Sequence, residues 1–470
     1  MLKRQEGQEQ PGIKWGPFTL RIPFVHSGFE GPELLQGLLV AAATGLAIVP
    51  LLQGFFGLSF EQAITMSLIS AMLISAGPIL FGEPFAPGWI TPALPLTLNV
   101  VLAPDYPTPT AKFQMMTALS LELAAILIFL GMTGLGKRLI EWLPATLKAA
   151  IIMGAAIAAI HRVFVSDAPK NLHAMPLSMT VGMGLCLALA FSHPIARWKP
   201  RLRWLAYMSS LGLLPGFVAA GMIGGLSGEL SWVNPETGAS IIRMEVMAPP
   251  FASLYEAVSP FAIGFPSAAM FIKAAPLAFI TYIILFGDIV TGMAVLESAM
   301  PHRPDEKIVF DSTRSHLSTG IRNALMAVFA PFFPTQGALW TGVHVIIVNR
   351  WATGKHEMYS LHSGIASYYT FGLPFLLLAL PLTTALQPLL PIALALTLIL
   401  TGFACAYVAM EIPSNPTERG VVVLGASAIA FMPPEWGLAV AALTALVLVG
   451  APKSAEATEA DVALSTEAAS

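Results

Sequence analysis

The stretch Gly82-Glu83-Pro84-Phe85-Ala86-Pro87-Gly88-Trp89-Ile90-Thr91-Pro92-Ala93-Leu94-Pro95 limits what this chain can become more than any other. It holds four prolines and two glycines in fourteen residues, between runs apolar enough to cross a bilayer. A proline inside a helix removes a backbone donor and clashes with the preceding turn. In hydrocarbon, a free backbone group is costly unless protein or a water-filled cavity surrounds it. The stretch therefore reads as a broken segment lining a cavity. The apolar run after it, Leu94 to Ala103, reaches only about half-way across at ~1.5 Å per residue. A second break lies far downstream, Pro331-Phe332-Phe333-Pro334-Thr335-Gln336-Gly337, followed by the short apolar run Ala338 to Val348.

Such a pair of interrupted short segments makes sense only in a membrane, and composition puts the chain there. It is 56% hydrophobic and 11% charged, against about 25% charged in soluble domains. A net charge of −3 implies no nucleic acid partner. The many Phe and Met residues suit lipid contact and helix packing. Cys186 and Cys405 both fall in apolar runs and read as buried thiols, not as a disulfide or a metal pair. No motif asks for a cofactor, and no secretory signal opens the chain.

Taken in order, residues 1–30 read as a cytoplasmic arm with an amphipathic approach to the membrane through Trp15, Phe18, Leu20, Ile22 and Phe24. Residues 31–226 form a first repeat, with Lys137, Arg138, Glu141 and Trp142 marking an interface. Residues 227–261 are a polar extracytoplasmic insert, and 262–450 form a second repeat that includes a polar loop from Pro301 to Ser318. Residues 451–470 are small and acidic and read as a disordered tail. The fold class expected is an all-α polytopic membrane protein of about fourteen segments, with the broken segment third in each half.

Basic residues test the topology. With both termini cytoplasmic, eighteen of the 24 lysines and arginines fall on the inner side, the cluster Arg197 to Arg203 among them. Lys112, Arg162, Lys170 and Arg243 fall outside, and Lys273 and Arg322 lie near span ends. This is a strong positive-inside bias. An odd number of segments per half makes the second half enter from the opposite face, so the repeat is inverted.

In that arrangement two half-helices start near Thr91 and Gly337 and meet N-terminus to N-terminus near the midplane. Each start presents free N–H groups and about half a positive charge. Such a place suits an anion or an acceptor-rich ligand. Trp89, Thr91, Gln336, Gly337, Trp340 and Thr341 surround it, although the two tryptophans equally suit plain packing. Asp288 is the one charge between Lys273 and Glu297, and an acid inside a span suggests an ion pathway. Thr291 follows on the same helical face. Carboxylate plus hydroxyl suits Na⁺, and a protonatable acid suits H⁺. Glu122, mid-span in the first half, is either a second coupling site or a satisfied structural acid. His344 reads as a hydrogen-bonding histidine before a shuttle, and Glu83 as a loop or mouth acid.

These features resemble the superfamily that joins the nucleobase–ascorbate transporters (uracil and xanthine permeases) with the sulfate permeases. Val49-Pro50-Leu51-Leu52-Gln53-Gly54-Phe55-Phe56-Gly57-Leu58 is similar to the sulfate-permease stretch after the first helix. Gly82 through Pro92 resembles the third segment, Phe286-Gly287-Asp288 falls in the eighth, and Phe333-Pro334-Thr335-Gln336-Gly337 resembles the start of the tenth. The resemblance covers about residues 33–450. It implies a seven-plus-seven inverted repeat whose third and tenth segments are each a strand plus a half-helix. Segments one to four and eight to eleven would form a core, the remainder a gate that forms a homodimer. Two departures stand out. Nucleobase carriers place an acid near the position of Trp340, where this chain has none, and their eighth-segment acid precedes a position like Gly287 rather than following it.

The function expected is a secondary active transporter of a small anion or polar metabolite, coupled to H⁺ or Na⁺ and working by symport or exchange in the plasma membrane. A nucleobase permease is the alternative. A passive channel and an intramembrane enzyme rank lower, since no serine–histidine, HExxH or paired-aspartate signature occurs in the spans.

Overall fold

The computed structural model describes residues 2–38, 45–136, 138, 143–211, 214–234, 236–370 and 373–450. The acidic tail over 451–470 and the interface markers Lys137, Glu141 and Trp142 lie outside these residues, and so does the side chain of Thr291.

The first half runs through α1 (Gly31–Gln36), α2 (Val49–Phe56), α3 (Phe60–Leu80), α4 (Ala93–Val101), α5 (Pro109–Thr133), α6 (Ala145–His161), α7 (Pro176–Phe191) and α8 (Leu214–Ser227). The second runs through α9 (Ala268–Ala299), α10 (Ser312–Phe329), α11 (Thr341–Ala352), α12 (Leu361–Thr370), α13 (Leu390–Glu411), α14 (Pro416–Phe431) and α15 (Pro434–Leu448). Local chemistry sets several of the ends. Ser59 and Gln62 form a reciprocal capping box at α3, with Gln62 N donating to Ser59 Oγ at 3.1 Å. Thr108 caps α5, Ser267 caps α9 and Asn415 caps α14. Gly134 ends α5 with φ +68°, a left-handed stop that a residue with a Cβ adopts only at a cost.

Five helices among the described residues are long and apolar enough to cross a membrane, or six if one bent pair counts as a single span. The chain is an integral membrane protein. Fewer full-length spans appear than the roughly fourteen apolar segments of the sequence, because proline breaks and short helices share the remaining apolar runs. Leu46–Phe56, Pro176–Phe191 and Pro434–Leu448 are shorter apolar helices.

The helices pack in two sets. In one, α5 lies against α9 and α10, α3 against α10 and α12, and α9 against α11. In the other, α6 lies against α13 and α14, α7 against α8 and α13, and α14 against α15. Small residues such as Ala149, Ala156 and Ala426, all buried, let α6 and α14 approach closely. The sets meet where α4 and α9 lean on α6 and where α9 meets α15.

Three regions differ from expectation. The amino-terminal arm forms an antiparallel hairpin, β1 (Ile13–Trp15) and β2 (Phe18–Leu20), and folds back onto the helices. Thr19 N donates to Phe81 O at 3.3 Å, and Arg21 N donates to Ile79 O at 2.7 Å, so the arm pairs with the chain just before the first break. Arg4 and Arg21 drive this: both are buried, with Asp305 and Glu9 as their ion partners. Secondly, α10 starts at Ser312 instead of near Gly320. Asp311 caps it, accepting from Thr313 N at 2.9 Å, and its polar side chains turn inward. Arg322 therefore lies inside the helix and not near a span end. Thirdly, the insert over 227–261 is tied to the second half, with Met247 N donating to Leu378 O at 2.9 Å and Trp232 Nε1 to Ala385 O at 2.7 Å.

Candidate functional site

The two broken segments cross each other and pair. Ile90 N donates to Pro334 O at 2.9 Å, Gly337 N to Gly88 O at 2.7 Å, and Trp340 N to Ala86 O at 2.7 Å. As one chain advances from 86 to 90, its partner retreats from 340 to 334, so the pairing is antiparallel. Prolines rule out helix here, and each segment satisfies its remaining backbone groups on the other. The approach is close. A Cβ on Gly88 would sit 2.7 Å from Trp340 Cβ, and one on Gly337 would sit 2.8 Å from Gly88 O. The Phe333–Pro334 bond is cis.

From this crossing α4 and α11 depart, so the starts of both half-helices lie at one place. The start of α4 is a tight turn, with Ala93 N donating to Ile90 O at 2.9 Å and Leu94 N to Thr91 O at 3.1 Å. Trp89, Thr91 and Trp340 are half-buried and Thr341 is exposed. Trp340 meets Tyr368 of α12 edge-on, ring centroids 6.3 Å apart.

The structure thus brings Trp89, Thr91, Gly337, Trp340 and Thr341 together. Gln336 belongs to the same crossing, but its side chain is fully buried and engaged: Nε2 donates to Ser70 O of α3 at 3.1 Å, and Oε1 accepts from Arg322 at 3.4 Å. His344 is also buried and accepts from Ala86 N at 3.3 Å through Nδ1, which pins the first broken segment to α11.

Asp288 is half-buried on α9, one turn before Gly292. Gly292 packs on the crossing, where a Cβ would meet Phe85 at 3.0 Å and Leu339 at 3.1 Å. Residues four apart share a helical face, so Asp288 lies one turn along α9 from the crossing, on the side of that contact. Its charge reaches Cys405 on α13, in the other helix set. Thr291 occupies α9 three residues on, its side chain outside the described residues. Glu122 is half-buried on α5, with Oε2 lacking a partner among the described residues, and no contact ties it to the crossing.

Sequence reasoning missed the layer beneath. Arg322 is 1% exposed. Its Nη2 donates to Gly337 O at 3.0 Å and to Thr319 Oγ1 at 3.2 Å. Asn323 Nδ2 donates to Gln336 O at 2.8 Å. The spacing of Ser315, Thr319, Arg322 and Asn323, one face of a helix, was the available signal. Glu83, also buried, accepts from Ser315 and lies 3.4 Å from Arg314 Nε.

A cavity of about 500 Å³ flanks the far end of α4. Asn99, Tyr106, His161, Lys273, Ile429 and Glu435 are among its lining residues. It opens between the two helix sets.

Two packed helix sets around a crossing of broken segments define the fold. Among solved structures, the chain matches the transmembrane domain of a cyanobacterium bicarbonate transporter, BicA, with a TM-score of 0.53 at 16% identity, covering 87% of this chain and 96% of that one. It also matches two structures of Solute Carrier 26 family member A9, each with a TM-score of 0.51 at 15% identity and 89% of this chain covered. One of these is the murine anion transporter in the inward-facing state, of which 67% is covered; for the other the share is 65%. The fold is therefore shared with these proteins. Protein-family models and curated proteins give no match.

Proposed function

We propose that the protein is a secondary active transporter of a small anion, working by alternating access in the plasma membrane with both termini cytoplasmic. The observation that carries this reading is the crossing: two half-helices begin side by side at a partly open place lined by Trp89, Thr91, Trp340 and Thr341. The positive ends of two helix dipoles favour an anion. The shared fold belongs to a bicarbonate transporter and an anion transporter, which supports the same substrate class.

The helix set holding α3, α5, α9, α10, α11 and α12 is the moving core, and the set from α6 to α8 with α13 to α15 is the gate, through which two copies pair. The cavity between the sets supports an access route along α4. Asp288, near both the crossing and α13, is the coupling residue for H⁺ or Na⁺.

Purified protein in liposomes tests this. Uptake of bicarbonate, sulfate, chloride and formate is measured with and without imposed Na⁺ and H⁺ gradients, beside uracil and xanthine. Accumulation of an anion that collapses with the cation gradient is expected. Uptake without dependence on any gradient would make the protein a channel, and uptake of the neutral bases alone would make it a nucleobase permease.

A further inference from the structure

A full positive charge buried inside a protein is costly and persists only where something uses or balances it. Arg322 is such a charge. It lies deep in α10, 1% exposed, and forms an ion pair with none of the described carboxylates. Its three hydrogen bonds go to neutral oxygens of Gln336, Thr319 and Gly337, and its Nε, fully buried, has no partner among the described residues. The acid whose charge reaches it is Glu83. That carboxylate is already held by Arg314, at 3.4 Å, and by Ser315. One arginine's charge in this cluster is thus left over. Gly77 of α3 faces the guanidinium, with Arg322 Cζ 3.8 Å from where its Cβ would be.

The bond to Gly337 fixes where this charge acts. Gly337 is the residue whose N–H pairs with Gly88 O across the two broken segments. Its carbonyl, four residues before Thr341, is held by the guanidinium on the buried side. The cation therefore sits directly behind the crossing, with Trp89, Thr91, Trp340 and Thr341 on the open side. Helix ends contribute fractional charges, whereas this is a whole unit in a water-poor place where Coulomb terms are weakly screened.

We propose that Arg322 is the specificity-determining positioning residue of the site: without touching the ligand, its unpaired charge behind the crossing restricts binding to small anions and rejects neutral isosteres of the same shape. This rests on the transport reading above. An anion completes the charge balance of the buried cluster; a neutral ligand leaves it open.

Two substitutions separate charge from structure. Arg322→Lys keeps the charge and loses the fork of donors. Arg322→Gln keeps a donor for Gly337 O and loses the charge. Both are made in the full chain, and folding is checked by gel filtration and melting temperature. The anion taken up best by the wild type is then assayed for KM and kcat. The Gln variant should raise KM by about tenfold or more at little cost in kcat, and the Lys variant should stay within about threefold. A structural role predicts the reverse order. A folded Gln variant with the wild-type KM, or a Lys variant as weak as the Gln variant, overturns the proposal. The wild type supplies an arm that needs no variant: formate should raise its melting temperature and formamide should not, and equal shifts overturn the proposal. A wild type that takes up no anion refutes the transport reading instead, so the two failures are distinguishable.

Discussion

Gly88 and Gly337 show how little space the crossing leaves. Neither has room for a Cβ, since the nearest atoms would be Trp340 Cβ at 2.7 Å and Gly88 O at 2.8 Å. Backbone-facing overlap of this kind forces the segments apart, at a cost of about 1–3 kcal/mol. Gly88→Ala and Gly337→Ala should each lower the melting temperature and abolish uptake, whereas Gly184→Ala, in open space on α7, should do neither. Wild-type uptake by both crossing variants would mean that the segments do not pair this tightly. At this scale the sequence locates Trp89, Thr91, Gly337, Trp340 and Thr341 at the breaks, because proline and glycine announce a break in a span. It was a poor guide to Gln336, whose amide is spent on Ser70 and Arg322. Nor does composition reveal Arg322 as interior. An arginine ten residues into a helix and one at its start look alike until the helix start is known, and here the start depends on the Asp311 cap.

Among the elements, the amino-terminal hairpin has the most unexpected role. Arg21 is 1% exposed; its Nη2 meets Glu9 at 2.5 Å, and its Nη1 donates to Gly82 O at 3.3 Å, at the mouth of the first break. Arg21→Ala leaves the half-buried Glu9 without its partner and frees the carbonyls of Gln10 and Gly82, so stability should fall by about 2 kcal/mol. A change under ~1 kcal/mol in chemical unfolding would show the arm to be a passive appendage. The loop it grips carries Asp305, whose carboxyl is held below its usual value by hydrogen bonds from Arg303 and the nearby charges of Arg303 and Arg4. A lowered folded value means that the group binds fewer protons in the native state. Its contribution is complete above the ordinary Asp value of about 3.9 and is lost as the pH falls through the lower folded one. Asp305→Asn should flatten the acid limb of the stability curve below about pH 4 while lowering the plateau above it. An unchanged limb would locate the acid sensitivity elsewhere. The hairpin was not legible because short alternating runs such as Ile13 to Trp15 and Phe18 to Leu20 look the same whether they meet lipid or a partner strand.

For the molecule as a whole, a division of the helices into two sets was an expectation of the resemblance, since two breaks in matching places locate a crossing without dividing the helices around it. Full-length spans were harder to count, because apolar runs do not reveal where proline divides them. The transport reading gives a test at this scale. Asp288 on α9 and the crossing belong to one set, and α13 to the other. Neutralising Asp288 by H⁺ or Na⁺ removes a negative charge near an anion site, so cation and anion should bind cooperatively, each raising the affinity for the other by the same factor. The wild type should bind its anion more tightly at low pH or high Na⁺. Asp288→Asn should remain folded, bind without that dependence, and lose gradient-driven accumulation. Retained cation dependence in calorimetry of the Asn variant would move the coupling site away from Asp288.

The contacts of the arm also impose an order of events on biosynthesis. Arg4 N–H donates to the Tyr359 hydroxyl across 355 residues of chain, and the Arg4 side chain reaches Asp305 across 301. A ribosome delivers Arg4 long before these partners, so its contacts are among the last that can form. Until residue 359 has been synthesised, Arg4 lacks these partners, although the hairpin behind it can already pair with Ile79 and Phe81. Docking of Arg4 thus marks a chain whose two halves have both been made, and a product lacking the second half keeps the hairpin's contacts with Ile79 and Phe81 while losing those of Arg4.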